Sequence, residues 1–215
     1  ARVAGVTSKD LTANNAASAR CNLDVRKLRQ LEDLAFTQAD QFEAIELSPV
    51  CPLGTTAFLG ELDLGNVLGT LRSLEVASDP TSALAVECAI RRRELAAREL
   101  SNRLCTSMRV LRFPLPKTPG YTAHFKLFSM VSAGRNVGSS SFELLELARH
   151  IHIYLRFLSH CTREADLSIK NIEVKVCDPE VMIELVSASG ISSEEIRSKV
   201  RAGDHESSAR LLDEH

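Results

Sequence analysis

Within residues 110–128, VLRFPLPKTPGYTAHFKLF, Arg112, Lys117 and His124 are of types that can hold an anion, and Phe128 adds an aromatic ring. Two apolar runs with basic residues flank a loop holding three prolines and a glycine, so the stretch reads as strand, loop, strand. If Arg112 on one strand faced His124 on the next, two cationic groups would line one sheet face. Phe128, four residues after His124, would share that face because side chains alternate along a strand. A guanidinium and an imidazole can hold a phosphate chain, and a ring can stack on a base. Lys117 in the loop can fold over such a ligand. The same spacing fits a solvated hairpin whose Phe128 is ordinary core.

A second group precedes this one. In SDPTSALAVEC, Asp79 and Thr81 open a helix, where an acid and a hydroxyl can line a small-molecule pocket or simply cap the first turn. The run Arg91-Arg92-Arg93 fans out around a helix axis and reads as a solvated face. His150 and His152, two apart in a helical pattern, point away from each other, which argues against a metal pair. Arg135, in the turn GRNVGSSS, is one more loop cation. No G-x-G-x-x-G, Walker loop or G-x-S-x-G occurs.

The elements that must position these groups follow from patterning. Apolar residues at three- and four-residue spacing predict helices over 22–39 and 140–160, the latter with a stripe of Phe142, Leu145, Leu147, Ile151, Tyr154, Leu155 and Leu158. Asp79 and Pro80 start a third helix whose stripe is Leu84, Cys88, Ala89 and Leu95. Residues 42–47 read as a strand stopped near Pro49, 51–60 as a turn-rich connection, and 66–76 as partly extended. Strands are expected at about 107–113, 121–132 and 169–178, and helices after Asp178 and Ser192. Strands joined by a short loop are antiparallel. The fold class is therefore α+β, a mixed, mainly antiparallel sheet flanked by helices. The expected organisation is a flexible segment over 1–21, a core over 22–178 and a helical segment over 179–215.

Composition sets outer limits. The 215 residues carry 26 basic and 28 acidic side chains, a formal charge of −2, so any nucleic-acid contact must be a local patch. No apolar run reaches the roughly 20 residues that span a bilayer, and the first residues lack the hydrophobic segment of a secretory signal. Six scattered cysteines without a C-x-x-C pair fit reduced thiols in a cytoplasmic protein.

The order of the pieces resembles the catalytic core of class II aminoacyl-tRNA synthetases, nearest the histidyl branch. QFEAIELSP is similar to that family's motif 1, which implies that Pro49 sits at a dimer interface. SDPTSALAVEC resembles the stretch that holds the substrate amino group, which gives that role to Asp79 and Thr81. RVLRFPLPKTPGYTAHFKLF is similar to motif 2; by that resemblance Arg112 contacts the α-phosphate of ATP, His124 the outer phosphates, and Phe128 stacks on adenine. Two departures stand out: Pro114 replaces the glutamate that follows the arginine by two, and no Gly-rich strand ending in arginine, the motif 3 pattern, follows.

Three functions remain open at this point. The first is a paralogue that binds ATP and a small amino or carboxylic acid, with Mg²⁺, and forms an adenylate through Arg112 and His124. The second is a non-catalytic regulatory subunit that senses a ligand, like the histidyl-like regulator of ATP phosphoribosyltransferase. The third is a dimerisation domain with an empty pocket. A homodimer and a small-molecule ligand are the expected partners; the balanced charge argues against tRNA, and no membrane is expected.

Overall fold

The computed structural model describes residues 20, 21, 23–60, 67–70, 72–94, 101–112, 122–135, 138–169, 171 and 172. Lys117, the loop around it, Leu95, most of the strand expected over 169–178 and the helices expected after it lie outside the described residues. Contacts divide the chain into two units, Ala1–Ser168 and Ile169–His215, and every element below belongs to the first.

Among the described residues the order is α1 (Val25–Gln38), β1 (Glu43–Ala44), β2 (Val50–Pro52), α2 (Thr55–Gly60), β3 (Leu74–Val76), α3 (Pro80–Glu94), β4 (Ser101–Leu111), β5 (His124–Gly134) and α4 (Ser141–Glu164). Sheet one runs β1-β4-β5, with β1 parallel to β4 and β4 antiparallel to β5; sheet two is the antiparallel pair β2-β3. The fold is the mixed, mainly antiparallel α+β arrangement that the patterning predicts.

Local chemistry explains the helix starts. Asp24 caps α1 by accepting from Arg26 N at 2.8 Å. Asp79 Oδ1 caps α3 through Thr81 N at 2.8 Å and Thr81 Oγ1 at 2.7 Å. The expected turn over 51–60 is instead strand β2 followed by helix α2. Glu75 on β3 is the cause. Its carboxylate, fully buried, accepts from Gly54 N at 2.7 Å, Thr56 N at 2.8 Å and Thr56 Oγ1 at 2.6 Å. Burial alone would raise that carboxyl; the Thr56 and Gly54 hydrogen bonds outweigh it and hold it below the usual range. A residue nineteen positions away thus starts α2, which no local pattern announces.

Register then divides the first sheet into two faces. Eleven consecutive pairs join β4 to β5, from Ser101 opposite Gly134 to Leu111 opposite His124. One face gathers Cys105, Phe128 and Met130 with Phe36, Ala39, Phe42 and Ile153, beneath α1 and α4. The other gathers Leu104, Val131 and Ala133 with Leu84 and Cys88 of α3, then Met108, Val110, Phe125 and Leu127 with Cys51 and Ala77. Leu84 and Cys88 are buried as their spacing predicts, whereas Ala89 is exposed.

Helix α4 departs furthest from its pattern. Its buried residues are Glu146, Ile153 and Cys161, while Leu145 and Leu147 of the expected stripe are 67% and 45% exposed. The buried side is chosen by a polar fit. Glu146 accepts from Arg103 Nε at 2.8 Å, Arg103 Nη2 at 2.7 Å and Ser132 Oγ at 2.7 Å. Hydrogen bonds from Arg103, against the opposing effect of burial, bring the Glu146 carboxyl down to about 2.

Candidate functional site

The residues singled out by spacing fall on both faces of the sheet. Arg112 N donates to Ala123 O at 2.9 Å, continuing the ladder one step past Leu111–His124. Alternation therefore turns Arg112 to the α3 face and leaves His124 and Phe128 on the α1/α4 face. The single wall of Arg112, His124 and Phe128 expected from spacing does not form. The register is offset by one residue from the one that would place Arg112 opposite His124.

Arg112 meets the second sequence group instead. Its Nη2 lies 3.3 Å from Asp79 Oδ2, its Nε donates to Ser78 O at 2.8 Å, and its guanidinium carbon stands 5.5 Å from the Phe125 ring centre. The structure thus brings together Arg112, Asp79 and Thr81, and adds Phe125 and Ser78, which spacing did not single out. Phe125 was discoverable: three residues before Phe128, it lies on the opposite strand face. A guanidinium over a ring and beside a carboxylate is held in place by both, and it keeps donors to offer an incoming anion. Asp79 is divided between two duties, since Oδ1 caps α3 while Oδ2 faces Arg112.

On the other face, His124 Nδ1 lies 2.8 Å from Arg109 Nη1. An arginine only donates, so Nδ1 is the acceptor in that contact. Phe128 packs edge-on against Phe36 at 5.4 Å and Tyr154 at 6.4 Å between ring centres, in the core beneath the helices. Lys126 and Ser107 both donate to Glu32 of α1. Burial raises the Glu32 carboxyl and these hydrogen bonds outweigh that, leaving it below its ordinary value.

Pro49 is exposed at the start of β2, and its carbonyl accepts from Ala77 N at 3.0 Å. Beside it runs a groove lined by Leu47, Val50, Cys51, Pro52, Ala83 and Val86. Arg91 is no patch residue: it clamps Glu43 of β1 through two nitrogens at 2.5 and 3.0 Å, and Glu87 at 2.8 Å. Arg135 is exposed. Among the described residues no three His, Cys, Asp or Glu side chains are placed to hold a metal. No described helix is long and apolar enough to cross a membrane.

No family model matches the sequence, and no curated protein matches it either. Solved structures do. The architecture is the class II aminoacyl-tRNA synthetase fold. One such structure, an ATP phosphoribosyltransferase regulatory subunit/histidyl-tRNA synthetase from Bacillus halodurans, superposes with a TM-score of 0.64 at 14% identity, over 96% of this chain and 56% of that one. A pyrrolysyl-tRNA synthetase from Desulfitobacterium hafniense gives 0.50 at 12% identity, over 70% of this chain and 49% of the other. The chain therefore spans about half the length of the proteins it resembles.

Proposed function

We propose that this chain is a ligand-binding module on the class II synthetase scaffold, taking a small amino acid at the Arg112–Asp79 pair and Mg-ATP beside it. The pair itself carries the reading. Its side chains are 42% and 30% exposed, they meet at a single 3.3 Å contact, and Phe125 backs them. An α-amino acid brings its own carboxylate and ammonium. It can replace each partner for the other without leaving either charge unpaired. Phe125, rather than Phe128, supplies the ring of this wall.

Sensing is favoured over adenylate formation because Asp79 Oδ1 is held by the α3 cap and Arg112 Nε by Ser78 O, contacts that an amino acid at the pair leaves in place. The Bacillus halodurans structure, described both as a regulatory subunit and as a synthetase, supports a scaffold that serves either use. Self-association belongs to the same reading. Pro49 borders an apolar groove, and Leu53 and Phe58, just after β2 in sequence, are 56% and 87% exposed.

The test is a thermal-shift titration with Mg-ATP alone and then with each proteinogenic amino acid. A ligand at a hundred times its Kd adds about 2.7 kcal/mol. A shift that vanishes in Arg112→Ala supports the site, and one that persists unaltered overturns it. Amino-acid-dependent pyrophosphate exchange would move the reading from sensing to adenylation.

A further inference from the structure

On the α1/α4 face of the sheet the strands supply the cations and the helices supply the carboxylates. Neither β4 nor β5 contains Asp or Glu, and alternation gives this face Arg103, Arg109, His124 and Lys126. Glu146 of α4 answers Arg103, and Glu32 of α1 answers Lys126. Arg109 is left over. It stands directly opposite Lys126 in the ladder, where like charges repel, and among the described residues no carboxylate pairs with it. Arg109 is exposed, and its Nη1 donates to His124 Nδ1 at 2.8 Å. An accepting imidazole brings no negative charge, so it steers the guanidinium without neutralising it.

Helix α1 adds to this excess. Phe36 packs on Phe128, and one turn earlier Glu32 accepts from Lys126 and from Ser107 Oγ, the latter at 2.6 Å. The charged residue a turn before Glu32 is not an acid for Arg109 but Arg29, exposed and with its charge in range of the Glu32 carboxylate. Asp33, the next acid on α1, turns about 100° away around the helix axis and makes no ion pair with these cations. Three cations, Arg29, Arg109 and Lys126, therefore share one carboxylate, Glu32, and two positive charges are in excess.

We propose that Arg29 and Arg109, with Lys126 as a third cation, form a binding site for the phosphate group of a small phosphate monoester, on the face of the sheet opposite Arg112. A phosphate monoester carries about two negative charges at neutral pH and three acceptor oxygens, which matches the excess. Guanidinium forks suit such a group, and each arginine keeps donors to offer it. A carboxylate brings only one charge. A nucleic-acid backbone brings one charge per phosphate and rewards a long track of cations, whereas these lie within one turn of α1 and one cross-strand pair. The site is independent of the Arg112–Asp79 pair.

The experiment titrates glucose 6-phosphate and inorganic phosphate into the full chain by isothermal calorimetry, without nucleotide, and uses acetate as the singly charged control. Both phosphates bind and acetate does not; added salt weakens the binding. The double variant R29A/R109A lowers the affinity by at least about tenfold. Glu32→Gln, which removes the competing carboxylate, raises it, a change that a purely structural role would not produce. Because Arg29 and Arg109 are exposed, R29A/R109A keeps its thermal midpoint, which separates lost binding from lost fold. No binding of either phosphate, acetate bound as tightly as phosphate, or an affinity unchanged in R29A/R109A or in Glu32→Gln overturns the proposal. So does binding of inorganic phosphate with glucose 6-phosphate rejected, which assigns the site to the free anion. Displacement of glucose 6-phosphate by a single-stranded oligonucleotide lacking a terminal phosphate overturns it as well, and so does loss of phosphate binding in Arg112→Ala alone, which moves the anion to the other face.

Discussion

Arg103–Glu146 and Arg112–Asp79, arginine–carboxylate pairs on opposite faces of the sheet, are built differently. Arg103–Glu146 is bidentate, at 2.7 and 2.8 Å, with side chains 29% and 7% exposed, and Ser132 adds a further hydrogen bond. Arg112–Asp79 is one contact of 3.3 Å between side chains 42% and 30% exposed. Desolvation makes the difference. A buried carboxylate must be matched on every lone pair, so the first pair is locked and fixes where α4 sits. A half-solvated pair gains little from its partner and can be opened by a ligand that matches both ends.

The largest expected effect comes from breaking the locked pair. Glu146→Ala leaves the Arg103 guanidinium and the Ser132 hydroxyl without their partner, and should cost about 3 kcal/mol, lowering the thermal midpoint by roughly 10 °C. Acid should do the same reversibly. The folded Glu146 carboxyl titrates at about 2 against an ordinary 4.5, so its contribution is complete above 4.5 and is lost as pH falls toward 2. Glu32 and Glu75, also lowered, work in the same direction. Equilibrium unfolding followed across that range by circular dichroism would check the sign.

His150 should give a smaller step at higher pH. Ser132 Oγ donates to the Glu146 carboxylate and so accepts from His150 Nε2 at 2.9 Å. Burial lowers the His150 pKa from 6.5, so the unfolded chain takes up the proton first and stability declines as pH falls below about 6.5. His150→Gln should remove that step in a pH series of thermal midpoints.

Across the sheet, Asp79→Ala should cost about 1 kcal/mol, the worth of one helix cap, and should also abolish the amino-acid response. Arg112→Ala should cost less than about 1 kcal/mol while removing the ligand-induced shift altogether. A large midpoint loss in Arg112→Ala would erase the distinction between the two pairs. The least effect belongs to Arg92→Ala, an exposed substitution expected to stay within about 0.5 kcal/mol.

The fold class and the start of α3 were legible because their causes are local: Asp79 is a cap, and the prolines and glycine in the sequence between the long strands signal a turn. Site membership was less legible because it depends on pairing register. Asp79, Thr81 and Arg112 did assemble. The ring beside them is Phe125 because Leu111, not Arg112, stands opposite His124. The burial of α4 was misread for another reason. Leucines occupy more than one side of that helix, and the inward side is decided by Glu146 finding Arg103, forty-three positions away. Glu75 likewise organises α2 through contacts that no window of sequence contains.

The bond from Arg112 N to Ala123 O fastens the ladder at its open end. Because both ends of the connection are fixed there, residues inserted between positions 113 and 121 leave the partners of Arg112 unmoved. One residue inserted within β5 is a different event. From that point to the strand end it would turn the sheet inside out, sending the side chains that face Glu146 toward Leu84 and those that face Leu84 toward Glu146. A length change that keeps both faces intact is therefore one made in the connection, whereas the strand itself tolerates substitution but not insertion.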